Sequence, residues 1–566
     1  MALERTWLRH YPDQVPASLD YDNKTLQAYL KEAAHTFPNK EALDFLGKTM
    51  TYQEVYDEAL RLANQLELLG VKKGDRVAIM LANCPQAVIC YYGALLAGAI
   101  VVQTNPLYVE REIEHQMNDS GAKVMICLDI LFPRVEKIRG NSSLEHVIVT
   151  SVKDYLPFPK SVVYPFVQKK QKGIKVDIHY NEQTHRLKTM LASGQAVEPD
   201  VSVNPKEDVA LLQYTGGTTG PAKGVMLTHF NLVSNTLQAG AWMYRMREGE
   251  ERTLAALPFF HVYGMTVVMN FSIMYRSKMI ILPKFDPVQA LKAIDKHDIT
   301  IFPGTPTMYI GLINEPSMKN YDLSSIKVCL SGSAPLPLDV QERFEKISGG
   351  KLVEGYGLTE TSPVVLSIPI WGKRKVGSIG VPWPDTEAAI LSAETGESAD
   401  NGEIGEIIVK GPQVMSGYWN QPEETAAVFK EDWFLTGDMG YQDEDGYFYI
   451  VDRKKDMIIA GGFNIYPREV EEVLYEHESV QEAAVIGVPD PYRGETVKAF
   501  IVLKENQRLT GGELQAFTRE RLASFKVPRL FEFRDELPKT MIGKVLRRVL
   551  VEEEKKKIKE EKEVLE

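Results

Sequence analysis

The sequence predicts an α/β protein, with a large N-terminal domain of parallel and mixed sheets layered with helices and a small α+β C-terminal domain. Three observations carry this prediction. Apolar runs of strand length alternate with amphipathic helical stretches along most of the chain. At 566 residues the chain is too long for a single hydrophobic core. Hydrophobic residues at 44% and charged residues at 25% match globular proteins, which argues against disorder and fibrous folds.

Taken in order, "TYQEVYDEALRLANQLELLG" places Val55, Ala59, Leu62, Leu66 and Leu69 at helical spacing. Thr51 and Glu54 are set as a capping box, and Gly70 is a C-terminal stop. "DRVAIML" and "AIVVQTN" predict buried strands flanking a further helix, and "KVMICL", "HVIVT", "MIILP" and "TIFPGTP" continue the alternation. The apolar run Ala87 to Val102 is about sixteen residues and contains Gly93 and Gly98, so it predicts a buried helix running into a strand and not a membrane span. Leu156 to Leu191 mixes aromatic and basic residues and predicts a surface insertion, either solvated or laid on a membrane surface. A composition shift after "GYFYIVDRKKD" sets the expected boundary near 452–455, with residues 1–452 in the large domain and 453–566 in the small one. The tail "VEEEKKKIKEEKEVLE" predicts a charge-rich helix or a solvated, frayed end.

The 77 acidic and 65 basic side chains give a net charge of -12, which disfavours nucleic acid as a partner. Cys84, Cys90, Cys127 and Cys329 are scattered in apolar surroundings, as expected of buried thiols in a reducing cytoplasm. "MALERTWLRHYPDQVP" has charges and a proline where a signal peptide needs an apolar core, so no export is expected.

The stretch "YTGGTTGPAKGVMLTH", Tyr214 to His229, fails the Walker template because Lys223 follows Ala222 and precedes Gly224. Its ingredients still suit an anion: glycines let N–H groups converge, threonine hydroxyls donate and a lysine adds charge. Taken alone, the lesser reading is an ordinary turn between two strands. Its company decides: "PFFHVYG", "SGSAPLP", "EGYGLTETSP", "WFLTGDMG", "DRKKDMIIAGGFNIYPREVE" and "LPKTMIGKVLRR" follow in order. In that order they resemble the core motifs of the adenylate-forming superfamily, which includes acyl-CoA synthetases, luciferases and peptide-synthetase adenylation domains. Within it, "DWFLTGDMGYQDEDGYFYIVDRKKDMIIAGGFNIYPREVE", "WLRHYPDQVP", "NPLYVEREIEHQMNDSGAK" and "KVPRLFEFRDELPKTMIGKVLRR" look like the bacterial long-chain fatty-acid:CoA ligases.

That resemblance implies a reaction in two steps. A carboxylate attacks the α-phosphate of ATP, releasing pyrophosphate, and the CoA thiol then displaces AMP from the acyl-AMP. By the same resemblance Thr215, Gly216, Gly217, Thr218, Thr219, Gly220 and Lys223 would fold over the β- and γ-phosphates. Gly332, Ser333, Ala334 and Pro335 would flank the adenine together with Glu354, Gly355, Tyr356 and Gly357. Thr359 would donate to the α-phosphate, and Glu360 would carry Mg²⁺, with Thr218 as a second candidate ligand. Asp438 and Arg453 would hold the ribose. Lys544 would bridge the carboxylate and the α-phosphate in the first step, and Lys455 would be the hinge, near 452–455, about which the small domain is mobile. Gly461, Gly462 and Phe463 would form the CoA channel, with His261 as a gate; a core histidine is the lesser reading. Tunnel walls are expected within Val233 to Met243, Met265 to Phe271 and Phe302 to Met308; some long-chain enzymes carry a gating tryptophan where this chain has Met265. The expectations extend to a homodimer and to a cytoplasmic protein with peripheral contact at the inner face of the membrane. An aryl- or medium-chain acyl-CoA ligase, a fatty-acyl-AMP ligase and a catalytically dead acyl or nucleotide sensor are the alternatives.

Overall fold

The computed structural model describes residues 4–164, 178–215, 222–392, 394–460, 463–490, 493–540 and 545–565, with the side chains of 463–464 and 558–565 left out. The predicted capping box is present: Glu54 N–H donates to Thr51 Oγ1 at 3.2 Å and Thr51 N–H to Glu54 Oε2 at 2.7 Å, starting the helix Tyr52–Leu68. Such a cap stabilises a helix by about 1 kcal/mol. This helix packs on Pro85–Leu96 so closely that a Cβ at Gly93 would lie 2.9 Å from Leu62 Cδ2. The apolar run therefore folds as a buried helix followed by the strand Ile100–Gln103, as its length predicts.

The largest sheet has eight strands. Val209–Thr215, Ile100–Gln103, Arg76–Met80, Val124–Leu128, His146–Thr150 and Thr184–Arg186 run parallel, and Lys223–Thr228 and Gly417–Tyr418 extend one edge antiparallel. Two four-stranded sheets are stitched together by "TIFPGTP", which is not the strand its sequence predicts. Only isolated bridges form, from Ile301 to Thr253 and Val328 and from Gly304 to Ser331. Pro303 and Pro306 lack the N–H groups a continued ladder needs. A five-stranded sheet between Glu387 and Arg453 is wholly antiparallel, so the large domain is more mixed than a parallel α/β pattern implies.

From Ile458 onward a second five-stranded sheet, with helices Pro467–Tyr475, Gly511–Arg519 and Arg547–Leu565, closes over its own core of Ile458, Val470, Leu474, Val485, Val497 and Ile501. The tail continues the helix Arg547–Leu565, the charge-rich helix that is one of its two predicted forms, and its first turn is tied to the domain. Leu550 is fully buried, and Glu554, one turn on, accepts from Lys498 Nζ at 2.7 Å. The surface insertion is likewise structured at its end: Thr184–Arg186 is an edge strand and Leu187–Ser193 a helix. Among the described residues no helix is long and apolar enough to cross a membrane, and all four cysteines are free and buried.

His229 opens the helix His229–Trp242, and its Nδ1 accepts from Leu26 N–H at 3.4 Å, pinning the first turn of Leu26–Thr36. Burial lowers its imidazole to about 4, against the smaller pull of Asp208. The unfolded chain takes up this proton below about pH 6.5, the folded chain only near 4; the contribution is therefore present above 6.5 and lost as pH falls through that window. About 3 kcal/mol of acid destabilisation is expected from this residue. Denaturant unfolding from pH 7 to 4 checks it, with His229→Gln expected to flatten the slope.

Candidate active site

Between the sheets of the large domain and the C-terminal unit lies a cleft of about 1290 Å³. Its walls come from segments remote in sequence: Thr215 and Lys223, Phe260 to Tyr263, Gly332 to Pro335, Glu354 to Glu360 and Thr436 to Asp438. Arg453 to Lys455, and Arg468, Thr540, Leu546 and Arg547 from the C-terminal unit, complete it. Almost all the described candidates from the sequence thus share one cavity.

Asp438 is a carboxylate held on both oxygens. The antiparallel ladder sets it opposite Arg453, whose Nε lies 3.1 Å from Oδ1, and Tyr356 donates its hydroxyl to Oδ2 at 2.6 Å. Gly437, at φ +72°, turns the strand just before it, and Thr436 Oγ1 accepts from Asp438 N–H. Burial and the neighbouring Asp438 charge drive the Tyr356 phenol well above its usual value, so it acts as a donor. Tyr356, placed by sequence against a base, is thus also the brace of the carboxylate.

Thr359 and Glu360 sit in the short 3-10 turn Thr359–Thr361. Tyr418 donates to Glu360 Oε1 at 2.9 Å. Among the described residues no cluster of three or more His, Cys, Asp or Glu side chains could hold a metal by itself. A single carboxylate in a cleft suits a hard cation that takes its other ligands from phosphates and water. Across from it Lys223 pairs with Glu424 and lies 5.1 Å from the Tyr418 ring centroid.

His261 caps the helix that follows it, accepting from Tyr263 N–H through Nδ1 at 3.2 Å. The helix then opens into a π-turn over Met265–Asn270, a geometry enriched at functional sites. Ser333 adopts φ +71°, and a Cβ on Gly332 would meet the Tyr263 ring at 3.2 Å, which fixes the path of "GSAP" along the wall. Desolvation pushes the Glu354 carboxyl up to about 7, against the Leu336 N–H it accepts and the nearby Arg468.

At the foot of the C-terminal unit, Asp452 accepts from Arg453 N–H at 2.7 Å and Arg468 N–H at 2.6 Å, and burial raises it to about 6. Arg547 bonds Glu471 at 2.6 Å and Asp456 at 3.3 Å. Lys455 is exposed beside this cluster. Gly216, Gly217, Thr218, Thr219, Gly220, Gly461, Gly462, Lys544 and the side chain of Phe463 lie outside the described residues. The three stretches expected to wall a tunnel do not line the cleft: Val233, Trp242, Met265, Phe271 and Phe302 are buried in the core, Phe302 against Tyr309 and Phe344.

Sequence reasoning missed Tyr418, Glu424, Arg468 and Arg547. "GYWNQPEET" offers only a proline-started helix turn with acidic residues, a signal too common to single out Glu424.

A cavity walled by strand-end loops of a large α/β domain and capped by a small α+β domain is the architecture of adenylate-forming enzymes. The model of the AMP-binding enzyme family matches residues 30–419, and that of the AMP-binding enzyme C-terminal domain matches 469–544. The chain belongs to this family. Over 98% of its length it is 57% identical to a long-chain-fatty-acid–CoA ligase of Bacillus subtilis (strain 168), covering 99% of that protein. Among solved structures it is similar to ATP-bound MatB from Rhodopseudomonas palustris, at 31% identity and TM-score 0.80, covering 94% of this chain and 98% of that one. Apo MatB superposes less closely, at TM-score 0.71. A Mycobacterium tuberculosis fatty acyl CoA synthetase matches at 30% identity and TM-score 0.72, over 94% of this chain and 99% of that one.

Proposed function

We propose that this chain is a long-chain-fatty-acid–CoA ligase, joining a fatty acid to CoA at the expense of ATP through an acyl-AMP. The observation that carries the chemistry is the convergence on one cleft of Lys223, Glu360, Asp438 and Arg453, with Thr540 and Leu546 closing it from the C-terminal unit. The whole-length similarity to the Bacillus subtilis ligase supports the substrate class.

In this reading the protein supplies positioning and charge, since the substrate carboxylate is itself the nucleophile. None of the buried cysteines competes for that role; burial pushes the Cys84 thiol up to about 12. Asp438 accepts from the ribose hydroxyls while Tyr356 and Arg453 keep its carboxylate oriented. The loop from Thr215 to Lys223 holds the β- and γ-phosphates, and Thr359 donates to the α-phosphate. Glu360 would hold Mg²⁺, which supplies neutralisation of phosphate charge when bound. Lys544 stabilises charge as the carboxylate meets the α-phosphate, and the arm 453–566 turns about 452–455 to exchange Lys544 for Gly461, Gly462 and Phe463, where glycines leave room for a pantetheine arm. The separate C-terminal core supports a unit that moves as one body.

Lys223 must leave Glu424 to meet a phosphate. Glu424→Gln is therefore expected to lower KM for ATP about two- to fivefold, read from initial rates at varied ATP; an unchanged KM would mean that the pair does not compete with nucleotide. Peripheral membrane contact belongs to the proposal too. Phe158, Val162 and Val163 stand exposed beside Lys160, and flotation with anionic vesicles tests that face.

Burial of a sixteen-carbon chain is worth on the order of 10 kcal/mol, so chain length should dominate selectivity. Acyl-CoA formation by the purified protein, with acids from acetate to oleate and 4-coumarate, is expected to peak at about twelve to eighteen carbons. A peak at acetate or 4-coumarate would overturn the substrate class, and pyrophosphate release without acyl-CoA would point to another acceptor.

A further inference from the structure

The helix Glu110–Ser120 lines no part of the cleft, yet it touches the chain on both sides of the hydroxyl-rich loop. Tyr214, just before the loop, is buried and donates its hydroxyl to Asp119 Oδ2 at 2.5 Å. Just after the loop, the carbonyl of Ala222 lies 3.1 Å from His115 Nε2; a carbonyl only accepts, so this ring nitrogen carries the proton. The two ends are themselves ladder partners, Tyr214 with Gly224 and Thr215 with Lys223. Trp419 completes the clamp, donating from Nε1 to the Asp119 carbonyl at 3.1 Å and from its backbone N–H to Gly224 O at 2.7 Å.

One helix thus reaches three points around the base of the loop, at Tyr214, Ala222 and Trp419. Ordinary packing would be met by apolar contact, whereas here a carboxylate takes a phenolic proton donor in a charge-assisted bond, the kind that fixes geometry most strongly. A loop that grips a leaving group and then lets it go needs fixed ends.

We propose that Asp119 and His115 are positioning residues for acyl-AMP formation, holding Tyr214–Thr215 and Ala222–Lys223 at the spacing in which Thr215 and Lys223 meet the phosphates of ATP. The inference rests on the ligase reading given above. Neither residue touches substrate. Their effect passes through Tyr214 and the Ala222 carbonyl, and it falls on the half-reaction that uses the β- and γ-phosphates.

The test separates the half-reactions on the full chain: acyl-AMP formation from palmitate and Mg-ATP, and thioester formation from supplied palmitoyl-AMP and CoA. Asp119→Ala and Tyr214→Phe are each expected to slow acyl-AMP formation about ten- to a hundredfold, with thioester formation at the wild-type rate. The double variant should be no slower than the slower single one, because both remove the same contact. Asp119→Asn, which still accepts from the phenol, and His115→Gln, which can still donate, should recover most of the rate lost in Asp119→Ala and in His115→Ala respectively. Tyr214→Phe removes one oxygen and guards against misfolding as the cause. Equal losses in both half-reactions, multiplying losses in the double variant, or normal acyl-AMP formation throughout would each overturn the proposal. If the wild-type protein forms no acyl-AMP, the ligase reading falls and this proposal with it; a competent wild type with unaffected variants overturns this proposal alone.

Discussion

Lys544→Ala is expected to slow acyl-AMP formation about a hundred- to a thousandfold, the loss typical of removing one group that meets charge developing in a transition state. The neighbouring geometry supports the assignment. Thr540 and Leu546, on either side of the segment, line the cleft. Its base is closed by the pairing of Lys539 with Val545 and by the Leu546 N–H on Pro538 O at 2.8 Å. In the proposed role Lys544 serves only the step in which negative charge gathers between carboxylate and α-phosphate, so thioester formation from supplied acyl-AMP should persist. Rapid-quench measurement of each half-reaction makes the comparison. Equal loss in both steps, or none in the first, would remove Lys544 from the role.

Asp438→Ala should fail differently. A charged hydrogen bond contributes about 1.5 to 3 kcal/mol, so loss of two ribose contacts predicts KM for ATP raised about a hundredfold or more. Both half-reactions should suffer, since the AMP moiety is held in each. The variant also leaves Arg453 without its partner and the buried Tyr356 hydroxyl without its acceptor. A thermal melt must therefore accompany the kinetics, with a cost of about 1 to 3 kcal/mol expected. Tyr356→Phe spares the carboxylate and isolates the brace: a change in KM below about tenfold is expected. If Tyr356→Phe matched Asp438→Ala, the phenol and not the carboxylate would be the ribose ligand.

Much of the cleft is legible in the amino-acid sequence because its chemistry sits at strand ends in short motifs, where glycines, hydroxyls and single charges stand out from apolar strands. Asp438 and Arg453 are such a case: each lies in a recognisable segment, and the ladder between their strands brings them together. The braces are not legible in this way. Glu424 lies 201 positions from Lys223, and Tyr356 reaches Asp438 across 82, distances at which no periodicity links two residues. Asp119 and His115 escape for the same reason, being ordinary polar positions on an amphipathic helix until the fold places them beside the loop. Errors in the fold have local causes. "TIFPGTP" has strand composition but two prolines that interrupt the ladder, and Thr184–Arg186 is too short and polar to show alternation. Leu550, just before the tail, and Glu554 within it share one helix face, and the charges around them mask that docking stripe.

At the centre of the proposed chemistry, the fatty-acid carboxylate itself attacks the α-phosphate. Palmitate labelled with oxygen-18 in its carboxyl group tests this step directly, by mass spectrometry of the nucleotide after one turnover with Mg-ATP and CoA. Direct attack predicts a single labelled oxygen in AMP and none in pyrophosphate. Label in pyrophosphate or inorganic phosphate, or unlabelled AMP beside newly formed acyl-CoA, would contradict it.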